Sequence, residues 1–335
     1  MATPTSTVVR ASREETGPPL AATAEAVPTD ASLRRAVGQG VTGLIVVGPF
    51  VGVLWALFHY WGSGINWLDL TLLVVLYLIS AFGMAVGYHR YFTHRAFQAN
   101  RALKIALAIA GSLCIEGSVI SWVALHRRHH AYADLPLDPH SPGRYGDSAY
   151  GALRGFAYAH VGWLFMSQSV EVERWCPELA EDPDVARIAA LAPWWPVISL
   201  ALPFLLGLAI TRTLHGALLA FVWGGLVRVA CLHHMTWSVN SIAHTFGKRP
   251  FKTGDRSTNV SWMALISLGD SWHNNHHAFP ALARHGFGAS QVDCSAWLIR
   301  IFERFGWATN VRWPNQERIV RQEGRNLRPS PAPVR

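Results

Sequence analysis

Sixteen histidines stand in this chain of 335 residues, and nine of them fall into clusters whose spacing suits metal ligation. The first cluster is His89-Arg-Tyr-Phe-Thr-His94, the second His126-Arg-Arg-His129-His130, and the third His273-Asn-Asn-His276-His277. Between the last two stands Asn240-Ser-Ile-Ala-His244. On a helix, residues i, i+3 and i+4 share a face, so each HxxHH run presents three converging imidazoles. The step from His89 to His94 leaves that face and fits a helix that ends or bends between the two. Imidazole suits zinc, copper, iron and nickel. One zinc takes three or four protein ligands, so nine histidines exceed one ion and suffice for two. Isolated histidines such as His59, His160 and His215 read as structural. His140, His233, His234 and His285 stay outside the metal set, His233 and His234 as core or interface residues beside it. Cys114, Cys176, Cys231 and Cys294 are scattered without a CxxC pair, which argues against a thiolate site or a disulfide framework.

The elements that position these clusters belong to a membrane protein. Half of the residues are hydrophobic and only 15% are charged, against about 25% in an average soluble domain. Four apolar stretches reach the roughly 20 residues that a helical span requires: Ala36 to Phe58, Trp67 to Tyr88, Ile188 to Ile210 and Leu214 to Met235. Short polar links make them two helical hairpins. A fifth stretch, Leu103 to Leu125, is interrupted by Gly111, Glu116, Gly117 and Ser118. A carboxylate at mid-span is costly in lipid, so this stretch reads as a re-entrant or surface-lying helix pair. Of 29 Lys and Arg residues, 27 lie in segments 1–36, 89–187 and 237–335. The positive-inside rule makes those segments and both termini cytoplasmic. Arg212 dissents in the second short link, and Arg228 within the fourth span must face protein or water. All four histidine clusters then lie on one side of the membrane. Residues 1–33 read as a disordered tail without the apolar core of a signal peptide, 34–317 as one membrane domain, and 318–335 as a basic tail. The net charge of +8 follows this topology and does not point to nucleic acid.

HRYFTH, HRRHH and HNNHH in this order resemble the three histidine boxes of the membrane fatty-acyl desaturases. The fuller pattern is similar to the stearoyl-CoA type, through Trp237-Ser-Val-Asn-Ser-Ile-Ala-His244, Asp138-Pro-His140 and His160-Val-Gly-Trp163-Leu. The resemblance covers roughly residues 40 to 305. It implies an all-α integral membrane fold of four transmembrane helices, capped by a cytoplasmic helical domain that holds a di-iron site. It implies that His89, His94, His126, His129, His130, His244, His273, His276 and His277 are the iron ligands, and that Asn240 holds a metal-bound water. It places Trp122 and Thr236, with Trp237 in the same segment, along the bend of an acyl tunnel, and Tyr77 and Ala81 near its closed end. Tyr77 precedes His89 by twelve residues, about 18 Å along a helix, a depth that suits the methyl half of a long acyl chain.

Three departures concern the head group. Where the acyl-CoA enzymes of animals place Arg-Lys after HVGWL, this chain has Ser167 and Gln168. Where they place Arg-Asp before the second box, it has Ala124 and Leu125. Glu116 replaces a Gln that contacts the substrate carbonyl. The resemblance implies two irons, dioxygen as co-substrate, and insertion of a cis double bond, at Δ9, into a long-chain saturated acyl-CoA such as stearoyl- or palmitoyl-CoA. An acyl-lipid is the alternative substrate, and hydroxylation of an alkane or lipid the alternative reaction. Haem, flavin and dinucleotide motifs are not visible, so the electrons are expected from a separate ferredoxin, cytochrome b5-like protein or reductase docking on the basic face. A metal transporter would string its ligands along the spans, and a zinc hydrolase would carry HExxH; neither pattern is present.

Overall fold

The computed structural model describes residues 29–60, 66–166 and 170–326. The chain is mostly helical. The first helix, α1 (Thr29–Tyr60), carries the apolar stretch Ala36–His59. It begins inside the segment read as a tail; the rest of that segment, 1–28, lies outside the described residues, as do Ser167 and Gln168. Helix α2 (Trp67–Phe82) is capped by Asn66, whose side chain accepts the Asp69 N–H at 2.9 Å, as an N-cap should. It runs without a break into a π-helical segment, Gly83–Thr93. Helices α3 (Arg101–Ser112) and α4 (Val119–Tyr132) follow, capped by Asn100 and Ser118. They form the expected interrupted pair, and Ile115 (φ 61°) and Gly117 (φ 94°) turn the chain between them.

After α5 (Ala149–His160), short helices α6 (Val172–Trp175), α7 (Pro177–Glu181) and α8 (Pro183–Ala190) lead to α9 (Trp195–Thr211). The last hydrophobic run comprises α10 (Leu214–Ala220), a second π-helical segment (Phe221–Val227) and α11 (Arg228–Ser241). The C-terminal region adds α12 (His273–Ala278), α13 (Cys294–Arg304) and α14 (Gln316–Asn326). Helix α14 occupies the start of the segment read as a basic tail, and Ile319 is buried there. A two-residue antiparallel pairing of Gln98–Ala99 with Ala308–Thr309 ties the end of the chain to the start of α3.

Among the described residues, three helices are long and apolar enough to cross a bilayer: Ala36–His59, Trp67–Thr93 and Leu214–His244. The expected span from Ile188 to Ile210 is instead two helices, α8 and α9, bent by 75°. Pro193 and Pro196 stand at the bend, and a residue preceding proline is driven out of the helical region. Helix α9 alone has 17 residues, about 26 Å at 1.5 Å per residue.

Two contacts set the core. Gly83 abuts α3 so closely that a Cβ there would lie 2.2 Å from the Ala110 carbonyl carbon and the Gly111 nitrogen. Tyr88, fully buried, packs against Gly111 and hydrogen-bonds Ser112 Oγ at 2.9 Å. Arg228, as a charge within a span, faces protein: its guanidinium donates to Gly224 O, Ser80 Oγ, Leu113 O, Ser199 O and Ser199 Oγ at 2.7–3.2 Å. The hydrogen bonds replace the water that the charge loses on burial.

Because α3 and the π-helical segment meet backbone to backbone at Gly83, Gly83→Ala forces them apart. It should destabilise the fold by about 1–3 kcal/mol, read as a lower melting temperature of the detergent-solubilised protein. An unchanged melting temperature would show that the two helices are free to separate.

Candidate metal centre

The π-helical winding explains the first histidine pair. A π-turn closes i to i+5, and the His94 N–H bonds the His89 carbonyl at 3.2 Å. The five-residue step, which faces away on an α-helix, therefore brings both rings together, 5.0 Å apart. The helix ends at Thr93, between the two, as the spacing suggests. His126, His129 and His130 lie in the last turns of α4, and His273, His276 and His277 on α12. His244 closes the 3-10 turn that ends the last hydrophobic run.

The fold gathers all nine into two adjoining groups. One holds His89, His94, His126, His130 and His276; the other holds His129, His244, His273 and His277. Within each, the candidate ligand atoms lie within 4.8 Å of one another. The groups touch through His130 and His277, whose rings stack at 4.5 Å.

Proton positions make these groups metal sites. Four histidines turn Nδ1 to a carboxylate: His89 to Asp270 (3.2 Å), His129 to Asp138 (3.0 Å), His244 to Asp134 (2.8 Å) and His277 to Asp255 (2.8 Å). With Nδ1–H donating, Nε2 carries a bare lone pair. Those Nε2 atoms face other Nε2 atoms. His273 lies 3.0 Å from both His244 and His277, and His276 lies 3.0 Å from both His89 and His130. His126 and His130 approach to 3.1 Å, His129 and His277 to 3.4 Å. The His94 Nε2 is buried and has no partner. Where both facing nitrogens are bare, as for His129 and His277, a cation between them removes the repulsion, and ligands about 2.0–2.1 Å from a tetrahedral ion stand about 3.3 Å apart. Burial first, and then neighbouring imidazoles, hold His94, His126, His130, His273, His276 and His277 far below the ordinary histidine range. They are neutral, the form that binds metal. The residues fit two ions bound by nitrogen.

The four carboxylates were not found by reading the sequence. Burial alone would raise Asp134, Asp138, Asp255 and Asp270, but the imidazoles outweigh it and keep all four ionised. Asp134 and Asp138 follow the second box at short spacing, and a metal-bound histidine generally needs such a partner; that was the available signal. Asp255 and Asp270 gave none. Asp270 is held in turn by Arg90, fully buried, which also bonds Asp293 at 2.9 Å and Ala283 O at 2.8 Å. His285 and His140, outside the nine, cluster with Asp270 and Asp138. His233 Nε2–H donates to Cys114 O at 2.9 Å, and the ring stacks on Trp237. His234 pairs with His160 at 3.0 Å.

A cavity of about 300 Å³ ends on His89, His126 and His273, members of both groups. Trp122, Thr236, Trp237, Glu116 and Asn240 line it. Trp122 stacks on His126 at 4.8 Å. Tyr77 and Ala81 do not line it: the wall contributed by their helix consists of Met84, Ala85 and His89. Ala81 is fully buried, and the Tyr77 hydroxyl donates to Ile266 O at 2.7 Å. No Lys or Arg lines the cavity among the described residues. The Glu116 carboxyl points into this apolar space with Oε1 unpartnered. Burial pushes its pKa up to about 8, hydrogen bonds from Thr236 and Trp122 offsetting only part of that.

Asp255→Asn and Asp134→Asn each remove an acceptor that orients a ligand. Either should weaken metal affinity by roughly 10–100-fold, read by chelator competition with metal analysis; unchanged retention would show that the carboxylates do not orient the imidazoles. Glu116 keeps its proton in the folded chain at pH values where the unfolded chain releases it. Its contribution to stability is therefore full below the ordinary Glu range and is lost as pH rises through about 8. The melting-temperature difference between Glu116→Gln and the parent should grow over that window; a constant difference would mean that the carboxyl is solvated.

The fatty acid desaturase family model matches residues 65–291. Hex-5-enoyl-[acyl-carrier protein] acetylenase of Moorena producens is 39% identical over 81% of this chain and 85% of its own length. The sn-1 stearoyl-lipid 9-desaturase of Anabaena variabilis is 36% identical over 81% and 93%. The acyl-CoA C20 Delta5-desaturase of Anemone leveillei is 34% identical over 80% and 81%. With a family model that spans all nine clustered histidines and relatives that span most of both chains, this chain belongs to the fatty acid desaturase family.

Proposed function

We propose that this protein is an oxygen-dependent acyl desaturase that places a cis double bond, at Δ9, in a long saturated chain. The observation that carries the reading is the apolar cavity whose inner end is formed by histidines of both groups. A methylene has no proton that an acid or base can take, so position along the chain must come from where the cavity holds it. His89, His94, His126, His130 and His276 would hold one iron, and His129, His244, His273 and His277 the other, with Asn240 beside them to hold a water. Two irons there would supply the reduction of dioxygen and the oxidising power that removes hydrogen from unactivated carbon. For each olefin, the acyl chain gives up two hydrogen atoms. Two electrons from a separate ferredoxin, cytochrome b5-like protein or reductase, with two protons from solvent, complete the reduction of dioxygen to two waters.

The remaining residues bind and exclude water. Trp122, Thr236 and Trp237 shape the wall beside the irons. Tyr77 and Ala81 continue the helix stripe of Met84 and Ala85 away from His89, toward the methyl end. The neutral Glu116 carboxyl offers a hydrogen bond to the carbonyl. The bent α8–α9 pair serves as a fourth span, with the metal groups on the cytoplasmic side of the cell membrane, where Lys and Arg concentrate.

The carrier is read as a membrane lipid. A CoA head group needs cations for its phosphates, and the cavity has none, while Thr42, Ile45 and Val46 of α1, a candidate span, form part of its wall. The Anabaena relative is named for a stearoyl-lipid. An acyl-CoA is the second reading, since the Anemone relative is named for one.

Expression in a desaturase-deficient host, with mass spectrometry of glycerolipids and double-bond localisation, should show a 9-olefin on lipid-bound acyl chains. His129→Ala or His276→Ala should abolish it. An alcohol product would reassign the reaction to hydroxylation. Olefin made only from acyl-CoA in purified membranes would reassign the carrier.

A further inference from the structure

A second recess approaches the metal groups from a different set of residues. Its floor is His244, and Pro142, Gly146, Thr245, Gly247, Arg249 and Arg256 are among its walls. The segment 245–256 forms much of this surface and exposes Lys248, Arg249, Lys252 and Arg256. The same segment reaches inward. Asp255 accepts His277 Nδ1 at 2.8 Å, and the Arg256 N–H donates to the Asp134 carboxylate at 2.7 Å, which in turn accepts His244 Nδ1 at 2.8 Å. One stretch of chain thus carries four exposed cations outside and holds two candidate ligands of one metal group inside.

The acidic groups nearby do not cancel this charge. Asp255 is half-buried and bonded to His277, Thr253 and Ser257. Asp147 pairs with Arg256 at 2.7 Å, both largely exposed, a pair of small worth in water. Among the described residues, neither Lys248 nor Lys252 has an ion-pair partner. Arg249 is held against the carbonyls of Thr253 and Asp255, which fixes it at the rim of the recess.

We propose that the 245–256 surface, around the recess over His244, is the docking site for an acidic electron-carrier protein. The proposal rests on the desaturase reading, which requires two external electrons for each turnover. A charged carrier that docks briefly needs steering and a short route to the metal group more than a large area, and such encounters bury little surface. Here the cations belong to the same segment whose Asp255 bonds His277 and whose Arg256 N–H bonds the Asp134 carboxylate. The acyl cavity is lined by other residues and has no cation, so carrier and substrate can be bound together.

The test uses the full chain in neutral-lipid nanodiscs, loaded with iron, and a reduced [2Fe–2S] ferredoxin of net negative charge. Lys248→Glu with Lys252→Glu should raise the KM for ferredoxin roughly tenfold or more at low ionic strength, within the 10–10³ range that steering supplies. Arg304→Glu with Arg321→Glu, an equal change in net charge elsewhere, should leave it near the parent value. Salt should narrow the gap. Product from a single turnover after chemical reduction should be equal in all three. An unchanged KM in the first variant, or an equal rise in the second, overturns the docking site. So does an effect seen only when anionic lipids are added, which assigns the cations to headgroups. Failure of the chemically reduced parent to form olefin overturns the desaturase reading instead. Binding of oxidised ferredoxin, measured without turnover, still tests the surface, also in the milder Lys248→Gln with Lys252→Gln variant.

Discussion

Nine imidazoles crowd their ring nitrogens together in the interior, four of them with Nδ1 bonded to a carboxylate and Nε2 therefore bare, and much of the fold serves to hold them there. Nε2 atoms meet at 3.0–3.4 Å in both groups. Four carboxylates fix the opposite nitrogen of four rings as the proton donor. That choice of tautomer settles which nitrogen is free for metal. Burial then keeps most of the remaining rings neutral. The polar cluster is expensive to bury without ions, and metal binding is thereby coupled to the stability of the fold.

The demand for rigidity reaches outward from the histidines. Arg90, beside His89 in sequence, ties the second hydrophobic run to Asp270, Ala283 and Asp293, residues nearly two hundred positions away. Arg228 plays a comparable part deeper in the bundle, where it bonds α2, α9 and the turn after α3. Arg90 is a buried charge paired with two carboxylates, and removing one would leave it poorly compensated; Arg228 is a buried charge held by neutral oxygens alone. Gly83 and Gly111 add the steric half of the same design, since the π-helical segment that carries His89 can lie against α3 only where no side chain intervenes.

The cavity separates chemistry from recognition. Its lining includes histidines, tryptophans and threonine, with two acids: Asp270, which bonds His89, and Glu116, which burial keeps protonated. The relatives at 34–39% identity are named for acyl-carrier protein, lipid and CoA substrates. One reaction core therefore accompanies three kinds of head group. Among the described residues, no Lys or Arg lines this chain's cavity.

Much of this was legible in the residues themselves. Periodicity and hydropathy marked the spans, because a bilayer imposes about 20 apolar residues on any helix that crosses it. The spacing of HRRHH and HNNHH put three rings on one helical face, because 3.6 residues make a turn. The departure at Glu116 could be noticed by eye. Three things were decided only by tertiary structure. The π-winding at His89–His94 belongs to a segment that packs against α3 at Gly83, a setting that no local pattern reports. The α8–α9 bend replaced a straight span, since prolines break a helix whatever its hydropathy. The sorting of nine histidines into five and four, each with its carboxylates, joins residues up to 187 positions apart. Ligand type is a property of a residue and can be read from the chain. Which ligands share an ion is a property of distance in space, and only the folded backbone sets it.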